Sequence, residues 1–99
     1  MIANVMEKGS WIYVYDQNNR QLSSMLTSGK KLCGYSSNFL VVVEGSWIYT
    51  YDENCKRIAS MLSNGKSVIG CAGNTFTVKE GSWIYTYDSN CRRLSSRLV

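Results

Sequence analysis

One eight-residue phrase occurs three times in this chain. Gly9-Ser10-Trp11-Ile12-Tyr13-Val14-Tyr15-Asp16 returns as Gly45-Ser46-Trp47-Ile48-Tyr49-Thr50-Tyr51-Asp52, and again as Gly81-Ser82-Trp83-Ile84-Tyr85-Thr86-Tyr87-Asp88. Each tryptophan follows the last by 36 residues, with no insertion or deletion. Asn18, Asn54 and Asn90 keep the same register, as do Leu22, Ile58 and Leu94, and then Gly29 and Gly65. A unit repeated at this period cannot bury its apolar surface alone, so neighbouring copies must stack. The chain therefore divides into copies at about residues 1–27, 28–63 and 64–99 of one β-repeat domain.

Within a copy the pattern is that of strands. From Trp11 to Tyr15 the residues alternate, with Trp11, Tyr13 and Tyr15 on one face and Ile12 and Val14 on the other. Both faces are apolar or aromatic, which calls for cover on both sides. Phe39 to Val43 and Thr75 to Val78 precede this strand in the second and third copies, and Glu44-Gly45 and Glu80-Gly81 suit tight hairpins between them. Lys8-Gly9 does the same in the first. After the aromatic strand comes Asp-x-Asn-x-Arg/Lys, where the Asp can bond amides further on and Asn tolerates a left-handed backbone. A more polar strand carrying Leu22, Ile58 or Leu94 follows, and a Gly-Lys turn at Gly29-Lys30 or Gly65-Lys66 leads to the remaining strand. With the four strands called a to d, the chain reads b-c-d, a-b-c-d, a-b-c-d. The fold class is all-β: three tandem antiparallel units, the first lacking its opening strand.

Four consecutive antiparallel strands per copy resemble the blade of a β-propeller. The run Ile-Tyr-x-Tyr-Asp-x-Asn followed by Leu or Ile is similar to the third strand and following turn of many such blades. The resemblance implies a structural motif and carries no active-site residues with it. Closed propellers hold four to eight blades, so it also implies that three blades need a partner. A homo-oligomer, most simply a dimer, answers that need. A β-prism and a β-trefoil are the alternative architectures, because each is built from three four-stranded units.

Composition narrows the chemistry. There is no histidine for acid–base work, no Gly-x-Ser-x-Gly elbow and no Gly-rich phosphate loop. Asp16, Asp52 and Asp88 hold equivalent turn positions, where capping the turn accounts for them. No catalytic residue is assigned, and the chain is read as non-enzymatic with no cofactor. The cysteines, Cys33, Cys55, Cys71 and Cys91, contain no Cys-x-x-Cys pair, so no metal site is assigned and free thiols are expected. Eleven basic against seven acidic residues leave a net charge of +4, which a solvated surface explains as well as an anionic partner does. The recurring Lys56-Arg57 and Arg92-Arg93 pairs are accordingly assigned to a solvated edge, and a nucleic-acid partner is not expected. Residues 1–8 lack the basic-then-apolar pattern of a secretory leader, which makes the cytoplasm the expected location and a processed secreted form the alternative. No stretch is apolar for long enough to span a bilayer.

Two functional readings result. The first is an interaction or assembly module that homo-oligomerises, with its tryptophans packed between layers. The second is a small repeat lectin with one carbohydrate site per copy, built from Trp11, Tyr13 and Asp16, from Trp47, Tyr49 and Asp52, and from Trp83, Tyr85 and Asp88.

Overall fold

The computed structural model describes residues 1–27 and 29–98, and no helix occurs among them. Ser28, which opens the second copy, and Val99, which closes the third, lie outside the described residues. The first sheet comprises β1 (Asn4–Lys8), β2 (Trp11–Tyr15) and β3 (Gln21–Leu26). The second holds β4 (Lys30–Tyr35), β5 (Leu40–Glu44), β6 (Trp47–Tyr51) and β7 (Arg57–Leu62), and the third β8 (Lys66–Ala72), β9 (Thr75–Glu80), β10 (Trp83–Asp88) and β11 (Arg93–Leu98). Strand order follows chain order in every sheet, and neighbours run antiparallel.

Local chemistry sets the turns. β1 and β2 face each other up to Lys8 and Trp11, which leaves Gly9-Ser10 as a two-residue loop; Gly45-Ser46 and Gly81-Ser82 repeat it. Their glycines hold φ of 59°, 60° and 59°, a left-handed conformation that a side chain would strain. Glycine first is the signature of a primed hairpin turn, whose twist matches that of the strands. Near the other end of β2, β6 and β10 the register with the next strand shifts at Val14/Tyr15, Thr50/Tyr51 and Thr86/Tyr87. Such bulges raise the local twist.

The sheets stand in a row, and each junction has its own core. The face of the first sheet bearing Val5, Ile12 and Val14 packs on the face of the second bearing Leu40 and Val42. The opposite face of the second sheet, with Val41 and Ile48, packs on Phe76 and Val78 of the third. We call the faces that bear Ile12 in the first sheet and Ile48 in the second forward, and those that bear Leu40 in the second and Phe76 in the third rear. Ile12, Val14, Leu40, Val42, Val41, Ile48, Phe76 and Val78 are all fully buried. Two cores in series describe an open row of blades, 40 × 26 × 19 Å, rather than the single central core of a prism or trefoil.

A hydroxyl crosses each junction. Ser23 Oγ donates to the Glu53 carbonyl at 2.6 Å, and Thr50 Oγ1 donates to the Ser89 carbonyl at 2.7 Å. The two acceptors are equivalent positions, 36 residues apart. The donors come from cross-strand neighbours: Val14 faces Ser23 in the first sheet, and Thr50 faces Ala59 in the second. The hydroxyl has moved from one strand to the next while its target stayed put.

Because Ile48 is sandwiched and its equivalent Ile84 lies on the uncovered forward face of the third sheet, Ile48→Ala should cost about 2–5 kcal/mol in urea unfolding. Ile84→Ala, measured in dilute solution, should cost clearly less.

Candidate functional site

The aromatic strand begins at a hairpin, and that placement decides the fate of the tryptophans. Trp11, Trp47 and Trp83 are 41%, 42% and 42% exposed. Packing between layers, the expectation from their size, is therefore overturned. The reason lies in how the sheets meet. Trp11 belongs to the first rear face, which has no sheet behind it, yet it is no more exposed than Trp47 and Trp83, which do. Inter-sheet contact falls instead at the other end of the strand, where Tyr51 and Tyr87 join the two cores. Twisted sheets diverge away from their line of closest approach, and the hairpin end lies on the open side.

Two of the indoles stack on a tyrosine of their own sheet. Trp47 stacks with Tyr49 (ring centroids 6.5 Å, 23° between planes) and Trp83 with Tyr85 (6.3 Å, 17°). Arg57 sits over Tyr49 at 5.3 Å and Arg93 over Tyr85 at 5.4 Å; the first copy has Gln21 there. Cross-strand from the tryptophans are Leu26, Leu62 and Leu98, themselves exposed. On the other side Glu44 faces Trp47 and pairs with Lys30 at 3.9 Å, while Glu80 faces Trp83 and pairs with Lys66 at 3.8 Å. In the first sheet Lys8 takes that place.

The aspartates are elsewhere. Asp52 follows the far end of β6, about 16 Å of extended chain from Trp47. Its Oδ1 accepts the amides of Asn54 and Lys56, both at 2.9 Å. Asp16 accepts those of Asn18 and Arg20 at 2.8 and 2.9 Å, and Asp88 those of Asn90 and Arg92 at 2.9 Å. The trios Trp11/Tyr13/Asp16, Trp47/Tyr49/Asp52 and Trp83/Tyr85/Asp88 are thus not brought together around one ligand. Tryptophan and tyrosine share a ladder, whereas the carboxylate holds a turn. The bond from the Arg20 amide, with that from Asn18, keeps the Asp16 carboxyl below its ordinary value. Its stabilising effect stands in full above the ordinary carboxylate range and fades as pH falls through the lowered value.

The left-handed residue of this turn is not the Asn that the sequence pattern suggests. It is the next residue: Asn19, Cys55 and Cys91, with φ of 61°, 60° and 60°. Asparagine accepts this conformation readily, and cysteine does not. Cys55 and Cys91 pack against the inter-sheet cores, and Cys55 Sγ lies 3.1 Å from Ser23 Oγ. All four cysteines are free thiols. Burial pushes each of them up, Cys71 and Cys91 to about 11.

At the turn end of the first junction, a polar cleft of about 270 Å³ is lined by Met1, Ser37, Asn38, Asp52, Glu53 and Asn54. Of these Asp52 and Asn54 belong to the repeated Asp-x-Asn turn, whereas the cleft joins two copies and its other residues carry no distinctive pattern. Glu53 pairs with the Met1 amino group at 2.5 Å. The cleft offers hydrogen-bond donors and acceptors. No cluster of three His, Cys, Asp or Glu residues able to hold a metal occurs among the described residues.

Among solved structures, the chain is similar to the crystal structure of BamB from Moraxella catarrhalis, a β-propeller, with a TM-score of 0.58 and 11% identity. The fold is propeller-like. The match takes in 91% of this chain but only 30% of the other, so the chain spans under a third of that protein's length. No protein-family model and no curated protein matches the chain.

Native protein should show red-shifted tryptophan emission that acrylamide quenches efficiently, and Trp47→Ala should destabilise far less than Ile48→Ala. Blue-shifted, protected emission would contradict the exposed rings. At pH 8 Cys71 and Cys91 should alkylate slowly in the native state and rapidly in urea, since so little thiolate is present at a value near 11.

Proposed function

We propose that this chain is a non-enzymatic interaction module that associates with a second copy end to end. The forward face of the third sheet meets the rear face of the first. What supports this reading is that the chain makes the same contact twice internally and leaves one of each face over. The leftover forward face retains Ile84 at the position of Ile48 and Leu94 at that of Ile58, with Ile69 beside them; Leu94 and Ile69 are exposed. It also carries both hydroxyl positions, Thr86 and Ser95, which face one another. Their target by the repeat is the carbonyl of Gln17, in the first copy's turn. Two chains of three blades each would make six, within the range of closed propellers.

The end faces are more polar than the internal ones. Thr77, Lys79 and Arg97 replace Val41, Val43 and Met61, and Asn4 replaces Leu40. The junction between chains is accordingly weaker than the junctions within one. Lys79 and Arg97 on one face and Lys8 on the other repel, and salt screens that repulsion. Light scattering should therefore show a concentration-dependent dimer favoured by higher salt. Leu94→Asp should abolish it without lowering the melting temperature of the monomer. A monomer at every concentration and salt level would sink this reading.

A second reading, carbohydrate binding, is favoured by one observation: the indoles keep the same exposure whether or not a sheet stands behind them, so assembly would leave them accessible. Quenching or shifting of tryptophan emission by oligosaccharides, lost in a Trp47→Ala/Trp83→Ala chain that still melts normally, would support it. An unchanged spectrum across a sugar panel would remove it.

A further inference from the structure

A row of four side chains crosses each complete sheet at its hairpin end, on the rear face. In the second sheet Lys30 faces Glu44, Glu44 faces Trp47, and Trp47 faces Leu62. In the third the row is Lys66, Glu80, Trp83 and Leu98. The carboxylate beside each indole is therefore a glutamate of the preceding strand, and the aspartate of the repeat has no part in it. Glu44 and Glu80 keep 40% and 41% of their side-chain surface open, and their lysines lie 3.9 and 3.8 Å away. At that separation a lysine offsets the charge without donating a hydrogen bond, so each carboxylate retains oxygens that can accept from a ligand.

Within the carbohydrate reading, on which this rests, we propose that the Glu44–Trp47 and Glu80–Trp83 pairs are two binding sites for neutral oligosaccharides. A sugar ring lies on the indole, and its hydroxyls donate to the glutamate.

The chemistry of the row selects the ligand. Tyr49 and Tyr85 back one face of each indole and leave the other for a ligand. The C–H groups on one side of a sugar ring are weakly positive, which suits the negative face of an aromatic ring. Neighbouring strands lie about 4.8 Å apart, so a ring seated on the indole brings its hydroxyls within reach of the carboxylate on the next strand. Lys30 and Lys66 sit one strand further on, where an ammonium can donate to a sugar oxygen. Each lysine cancels its glutamate, so the row carries no net charge. A nucleic acid would set phosphates against the glutamates, and an apolar lipid surface would strip water from both charges of the pair. A neutral, hydroxyl-rich chain meets neither cost. In the first sheet Lys8 stands where Glu44 and Glu80 stand, so Trp11 has no carboxylate opposite it. Two sites per chain result, not three.

Three single-tryptophan chains test the proposal. One keeps Trp11 (Trp47→Phe/Trp83→Phe), one keeps Trp47 (Trp11→Phe/Trp83→Phe) and one keeps Trp83 (Trp11→Phe/Trp47→Phe). Each is titrated with cellohexaose, maltohexaose and N-acetylated chitohexaose while tryptophan emission is followed. At least one sugar should shift the emission of Trp47 and of Trp83 and leave that of Trp11 unchanged. Adding Glu44→Gln to the Trp47 chain should weaken binding about tenfold, as loss of one charge-assisted hydrogen bond does. The melting temperature should stay the same, because an exposed ion pair contributes little to stability. An equal response from Trp11, or an affinity that Glu44→Gln leaves intact, would overturn the assignment while the carbohydrate reading stood. No response from any of the three chains would remove both.

Discussion

Every other feature of this molecule depends on sheets that cannot stand alone. β6 carries Ile48 and Thr50 on one side and Tyr49 and Tyr51 on the other, so the second sheet needs a neighbour on each face and has one. Burial of its valines, leucine and isoleucine removes several large apolar side chains from water, each favourable by about 1.5–3 kcal/mol. The outer sheets satisfy one face each. That asymmetry gives the chain its open ends and its exposed Leu94, Ile69 and Met6.

The hydroxyl that crosses each junction adds direction to this non-directional force. A buried Thr50 would be costly without a partner, and the Ser89 carbonyl supplies one. Fixing one sheet to the turn of the next sets how far the sheets slide, which apolar contact alone leaves loose. The same target is reached from Ser23 in one copy and from Thr50 in the next, so the constraint lies in the junction and not in a particular residue.

Much of this was legible in the sequence. The 36-residue period marked eleven strands and the incomplete first sheet, and the Gly9, Gly45 and Gly81 hairpins fall where glycine indicated them. Strand alternation separated Ile12 and Val14 from Trp11, Tyr13 and Tyr15, but it could not say how far a covering sheet reaches along a strand. That distance is set by twist, and it leaves Trp47 open while covering Tyr51. The separation of tryptophan from aspartate has a related reason. Trp47 and Asp52 are close in sequence, yet a strand holds its two ends apart. Nor could the pattern show that Cys55 and Cys91 take the left-handed position, because an Asn next door is the better candidate on local grounds. Their side chains are held by packing between copies, a tertiary effect.

Gly34 has a geometric consequence of its own. A methyl group there would lie 2.9 Å from Cys71 Sγ, whereas at the equivalent Gly70, with no fourth sheet beside it, nothing lies within 4 Å. The inner strands β4 and β8 can approach closely because one of them has no side chain at the point of contact. In a wheel of wedges, the spacing at the hub fixes the angle between neighbours, and that angle fixes how many wedges complete the circle. A single missing methyl thus helps set the curvature of the row, and with it the size of any ring built from such rows.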